Sequence, residues 1–150
     1  MRKFEQHIFI DRRKDEIYDH IAEPINMIGL QPLLTTIDLL KEQQNEQGII
    51  LRPFYTVEVF RWAGIPLVRS RIYSVIHLTR PKDELDVYRW PNIKIVFKYE
   101  FVQYTDQRTH ITQTINFEKV NKILEGFVFE RSIKVQRAVL TNLKVRLEKK

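Results

Sequence analysis

Between Gln31 and Phe117 the sequence is a succession of β-forming stretches separated by turns, and beyond it the apolar spacing changes from two residues to about 3.6. Consecutive strands joined by short turns pair antiparallel, because a parallel pairing needs a crossover of a dozen or more residues. The alternation is clearest from Ile93 to Tyr104. There Ile93, Ile95, Phe97, Tyr99 and Phe101 fall on one side, and Lys94, Lys98 and Glu100 on the other. Thr105-Asp-Gln-Arg108 turns the chain into Thr109–Phe117, where Gln113 is in phase with Ile111, Ile115 and Phe117. Upstream, Leu33–Leu40, Ile49–Trp62, Arg69–Thr79 and Leu85–Trp90 are separated by the turn-rich runs Asn45–Gly48, Ala63–Pro66 and Pro81–Glu84.

The two ends complete the pattern. Lys3–Ile10 reads as a strand with Phe4, Ile8 and Ile10 on one face and Gln6 as the exception. Asp11 is placed to cap a helix carrying Ile17, Tyr18, His20 and Ile21. Glu23-Pro24 stops that helix, and a second short one is expected from Pro24 to about Leu30. In the tail, Phe129, Ile133, Leu140, Leu143 and Leu147 form one stripe, widened by Val128, Val135 and Val139. No proline interrupts residues 92–150, so the spacing predicts a helix of about 20–28 residues, ~30–40 Å long.

The order is therefore a strand, two short helices, six antiparallel strands and a long C-terminal helix: an α+β chain with a seven-stranded sheet. At 150 residues it is expected to form one domain, 1–150. A single twisted sheet exposes an apolar face, and the long helix is the available cover. Strands such as 49–62 and 93–104 span ~40 Å at ~3.3 Å per residue, long enough to curl, and Pro53 and Pro91 offer places to bend. A sheet curled around the helix leaves space between them. An enclosed cavity of the usual ~300–1,000 Å³ is the expectation, with a tightly packed core as the alternative.

The chemistry left open is narrow. There is no cysteine, which removes disulfides, thiolate metal sites and cysteine nucleophiles. The four histidines His7, His20, His77 and His110 show no ligand spacing, so no metal is expected. Ser70, Ser74 and Ser132 lie outside any Gly-x-Ser-x-Gly turn, and four dispersed glycines cannot cradle a phosphate. No cofactor is implied. What stands out is aromatic, with scattered polar groups. Tyr73, Phe97, Tyr99 and Phe101 on strands, with Phe127 and Phe129 at the start of the last helix, are candidates to line a pocket. His77, Arg89, Gln113 and Tyr99 are the candidate polar groups within it. Asp38 and Glu58 are strand carboxylates that the assumed register turns outward, so no paired acid and base emerges.

Charge leaves a different reading open. Lys and Arg number 25 against 19 Asp and Glu, for a net charge of +6. The excess sits at the two ends, with nine basic and four acidic residues over 118–150. Interleaved with Glu130 and Glu148, the basic residues of the tail read either as a solvated helix face or as a surface for RNA, the ribosome or anionic lipid. No stretch approaches the ~20 apolar residues of a membrane span. The opening residues interrupt any signal-like run, so a cytoplasmic chain is expected.

Three segments carry a resemblance. The run His7–Pro24 is similar to the opening strand and helix of the SRPBCC superfamily. Phe97-Lys-Tyr-Glu-Phe101 with Arg108-Thr-His-Ile-Thr112 resembles its last hairpin, and Leu140-Thr-Asn-Leu-Lys144 with Leu147-Glu148 its terminal helix. The resemblance spans nearly the whole chain. It implies a helix-grip fold, in which a curved antiparallel sheet wraps a long C-terminal helix around a hydrophobic cavity. That superfamily contains START-related lipid carriers, the birch pollen allergen family and aromatic polyketide cyclases. The expected function is therefore binding or carrying a small hydrophobic or aromatic molecule or lipid. A cyclase- or dehydratase-like enzyme is the second expectation and a basic interaction module the third.

Overall fold

The computed structural model describes residues 2–90, 94–119 and 125–149. Strand β1 (Arg2–Ile10) is followed by helix α1 (Lys14–Ile21) and a 3₁₀ turn at Pro24–Met27. Then come β2 (Leu34–Leu39), β3 (Gln43–Gln44), β4 (Ile50–Trp62), β5 (Ile65–Arg80), β6 (Glu84–Trp90), β7 (Lys94–Thr105) and β8 (Arg108–Lys119). Helix α2 (Glu125–Glu148) closes the chain.

All strands are antiparallel, in the order β1-β8-β7-β6-β5-β4-β2, with the short β3 also pairing β4. The seven-strand path is the expected sheet, and β3 is one small strand more. Only β1 is out of sequence: it crosses the molecule to pair β8, placing Gln6 opposite Gln113 and Ile10 opposite Thr109. The β4–β5 hairpin turns at Ala63-Gly64, both at positive φ (50° and 80°), the backbone that a two-residue turn matched to strand twist demands.

Curvature arises at register shifts more than at proline. Pairing slips between Phe60 and Arg61, between His77 and Arg80, and between Gln103 and Thr105, and an extra residue on one strand bends and twists it. Pro53 pairs Val75 with no shift. Its carbonyl accepts from the Leu40 N–H at 3.1 Å, one residue past the end of β2, a position where the N–H that proline lacks is tolerated. Pro91 lies outside the described residues.

The concave face carries the core. Ile111, Ile115 and Phe117 from β8, Ile95, Phe97, Tyr99 and Phe101 from β7, and Leu85 from β6 are buried there. Val139, Leu140, Leu143 and Leu147 of α2 are buried in the same cluster. Each fully buried aliphatic side chain contributes about 1.5–3 kcal/mol, which makes this stripe the main hold of the helix.

Polar bonds then fix the ends. Asp11 does not cap α1. Its carboxylate accepts from Arg108 Nε at 2.7 Å, and the Arg108 guanidinium holds its carboxyl below the usual range. The helix starts at Lys14, whose N–H is met by Gln103 Oε1 at 2.9 Å. At the far end, Lys144 Nζ donates to the Phe9 carbonyl at 2.7 Å, and Arg146 donates to the carbonyls of Asn26 and Ile28 at 2.6 Å each. Two of the five basic residues of α2 thus grip β1 and the 3₁₀ turn.

Candidate functional site

A cavity lies between the concave face of β4–β7, the end of α1, the 3₁₀ turn and α2. It is partly open, with a volume of about 50 Å³, and the free space including its mouth and the solvent beyond is about 540 Å³. It is smaller than the enclosed cavity expected from the sequence, and Phe54, Phe97, Tyr99 and Gln136 are among the large side chains that line it. A guest of ordinary ligand size would occupy the mouth as well.

Most of the wall is apolar: Ile21, Met27, Leu34, Phe54, Ile76 and Phe97. The polar lining is concentrated in a few groups. Strand alternation on β4 points Phe54, Thr56 and Glu58 inward together, and Ser74 and Arg89 sit opposite each other on β5 and β6. Arg89 donates to Glu58 Oε2 at 2.5 Å, with the two side chains 18% and 6% exposed. Thr56 Oγ1 donates to the same oxygen at 3.3 Å. The Arg89 guanidinium also lies 5.9 Å from the Phe97 ring centroid, within cation–π reach. A shielded ion pair of this kind is held together by its geometry, since each charge alone in so dry a place is costly.

A second polar group comes from β7 and α2. Gln113 Nε2 donates to the Tyr99 hydroxyl and to Gln136 Oε1, both at 2.8 Å, while its Oε1 accepts from Gln6. Burial pushes the Tyr99 phenol well above the usual tyrosine range, so it remains protonated at neutral pH. Its oxygen is taken by Gln113, and its own hydrogen is free to meet a guest. Gln31 adds another donor: its Oε1 accepts from the Leu33 N–H at 2.5 Å, which turns its amide nitrogen away from that bond.

No protein-family model matches the sequence, and no curated protein does. Solved structures do. A START superfamily protein from Mycobacterium smegmatis superposes with a TM-score of 0.73 at 10% identity, over 98% of this chain and 97% of that one. The Zhui aromatase/cyclase from a Streptomyces species gives 0.69 at 15% identity, over 97% and 95%. The di-domain ARO/CYC BexL gives 0.73 at 15% identity over 99% of this chain, which spans 47% of that protein. The fold is of the SRPBCC type. At these identities the likeness concerns the fold alone.

Within the SRPBCC-type frame the expected residues separate. Arg89, Phe97 and Tyr99 line the cavity. Gln113 is buried just behind Tyr99 and acts on the wall through it. Phe101 is buried toward α1, its ring 5.3 Å from Tyr18. Phe129 packs on Phe117 at 5.2 Å and Phe4 at 6.5 Å; neither Phe101 nor Phe129 reaches the cavity lining described here. The side chain of Phe127 lies outside the described residues.

Tyr73 and His77 need correcting. Ser74 and Ile76 face the cavity, so alternation puts Tyr73, Val75 and His77 on the convex side. There Tyr73 packs 5.2 Å from Tyr55, and His77 lies 4.3 Å from Tyr88. Burial holds the His77 imidazole below its usual range. Glu58 is the opposite correction, since it was expected to face outward and is buried in the wall. Gln136, Gln31 and Thr56 were not singled out from the sequence. Gln136 had a signal, because it occupies the apolar stripe of α2 between Ile133 and Leu140.

Proposed function

We propose that this protein binds a small, largely apolar ring molecule that carries at least one hydrogen-bond-accepting oxygen, held between the sheet and α2. The observation that carries this reading is a cavity surface that is mostly apolar yet includes side chains able to donate to a guest. Arg89 has only N–H groups to offer, Tyr99 keeps its hydrogen free, and Gln31 presents an amide nitrogen. Pockets that orient small molecules combine apolar walls with a few such placed groups.

Binding is favoured over a cyclase-like reaction by the same wall. Its described lining holds one carboxylate, Glu58, already bonded by Arg89 and Thr56, and no histidine. A proton relay needs an acid and a base within reach of the guest. At the C-terminal end of the basic tail, Lys144 and Arg146 are engaged with backbone carbonyls of β1 and the 3₁₀ turn rather than left for a surface partner.

Native mass spectrometry of protein purified gently from its own host tests the proposal. A co-purified small molecule, lost on denaturation and absent from an Arg89→Leu/Tyr99→Phe variant, is the expected result. A protein that carries no such mass, and whose thermal transition is not shifted by any of a panel of aromatic ketones, would overturn it.

A further inference from the structure

Three glutamines occupy positions that the apolar pattern would otherwise give to aliphatic residues. Gln6 lies among Phe4, Ile8 and Ile10, Gln113 between Ile111 and Ile115, and Gln136 between Ile133 and Leu140. They come from β1, β8 and α2, and the fold joins them: Gln6 to Gln113, and Gln113 to both Gln136 and the Tyr99 hydroxyl. Gln113 is fully buried and Gln136 nearly so, so their amides have to find partners within the protein or the cavity.

Every member of this chain both donates and accepts. Turning the amides over together therefore preserves each bond. Gln113 Oε1 would then accept from Tyr99 and Gln136, and its Nε2 would donate to Gln6. Gln6 is half-buried at the outer end, where water satisfies either arrangement. The two directions differ only where the chain meets the cavity. In the arrangement found, Tyr99 has its hydrogen as well as a second lone pair for a guest, and Gln136 its amide nitrogen; reversed, the Tyr99 hydrogen is used up and the wall there offers only acceptors, the Tyr99 oxygen and the Gln136 carbonyl. Arg89 and Gln31 do not change, because Arg89 has no acceptor and Gln31 is fixed by a backbone N–H.

We infer that the Gln6–Gln113–Gln136 chain is a reversible hydrogen-bond relay that lets the cavity wall donate to a guest carbonyl in one direction and accept from a guest hydroxyl at the same position in the other. This rests on the binding reading above and deepens it. The guest class becomes small ring compounds that occur as ketone and alcohol forms of one skeleton, with the fixed donors Arg89 and Gln31 holding a second oxygen where there is one.

The test uses 1-indanone, 1-indanol and indane, which share a skeleton and differ in the oxygen. Affinity is followed by nuclear magnetic resonance on the Gln113 and Gln136 side-chain amide signals. In the unaltered protein, indanone and indanol are expected to bind within about threefold of each other, and each about tenfold tighter than indane, the worth of one good hydrogen bond. Gln6 is not part of the described cavity lining, yet Gln6→Glu presents only acceptors and must turn the Gln113 nitrogen toward itself. Indanone should then weaken about tenfold while indanol holds. Gln6→Met leaves the relay free to reverse and should keep the two affinities matched.

A tenfold preference between indanone and indanol in the unaltered protein would overturn the relay. So would a Gln6→Glu effect equal on both. Equal affinity for all three compounds would overturn the relay while leaving the cavity as a binding site. Failure of all three to bind would take the binding reading with it.

Discussion

Glu58 and Arg89 meet where solvent hardly reaches, and the pair invites a comparison of one substitution with two. Arg89→Leu leaves the Glu58 carboxylate buried without its cation and should cost about 3 kcal/mol. Glu58→Leu with Arg89→Leu removes both charges and should cost much less, because an apolar pair of similar size avoids the desolvation. Urea unfolding of the two variants checks this. If the double variant keeps its stability and loses the guest, the pair is retained for recognition. The same two residues show where reading a sequence stops. Strand β4 is apolar on both alternating sets, Tyr55, Val57 and Val59 against Phe54 and Phe60, so composition cannot say which set faces the core. Neighbouring strands decide it, and Glu58 turned inward with Phe54. Strand β5 has the same ambiguity, with Ile72 and Ile76 against Tyr73 and Val75, and that ambiguity misplaced His77. By contrast Gln6 and Gln113 were visible as polar residues in phase with apolar ones, and they proved to be each other's partners.

Among the elements, α2 has the clearest single point of dependence. Gly29 adopts a φ of +85°, and a Cβ there would lie 2.8 Å from an Arg146 guanidinium nitrogen. The backbone conformation requires glycine, and a side chain there would also have to push the Arg146 guanidinium aside. Gly29→Ala should cost about 1–3 kcal/mol by straining the turn and displacing Arg146 from the Asn26 and Ile28 carbonyls. In an Arg146→Ala background the steric part disappears, so the two losses should sum to more than the double variant shows in chemical denaturation. The existence and order of the elements were legible because β7 and α2 carry long, consistent periods. The starts of elements were not. Asp11 had the local chemistry of a cap, but Arg108, distant in sequence, competed for its carboxylate and won.

At the scale of the whole molecule, two buried phenols tie stability to alkaline pH. Tyr18 donates to the Glu84 carbonyl at 3.1 Å, and burial pushes its phenol from 10.0 up to about 12; burial raises Tyr99 as well. The folded protein therefore holds protons that the unfolded chain gives up first. This contribution is complete below pH 10 and is lost as pH rises from about 10 toward 12, at up to about 1.4 kcal/mol per unit for each phenol. Unfolding free energies measured across that range should fall, and Tyr18→Phe should make the fall shallower. A stability that stays level there would contradict the burial of these rings.

Topology adds a sequence of events. Among the described residues strand β1 pairs with β8 alone, and α2 reaches back to Phe9 and Asp11. The hairpins from β4 to β8 join neighbours along the chain and close cheaply, whereas the β1 seam joins residues about a hundred positions apart and carries a larger loop-closure cost. The meander is thus free to assemble as an open trough, and docking of β1 and α2 is the late step that roofs it. Conversely, the seam between them is where the finished protein has most to gain in chain entropy by parting, so amide hydrogens along β1 should exchange sooner than those in the β7–β8 hairpin.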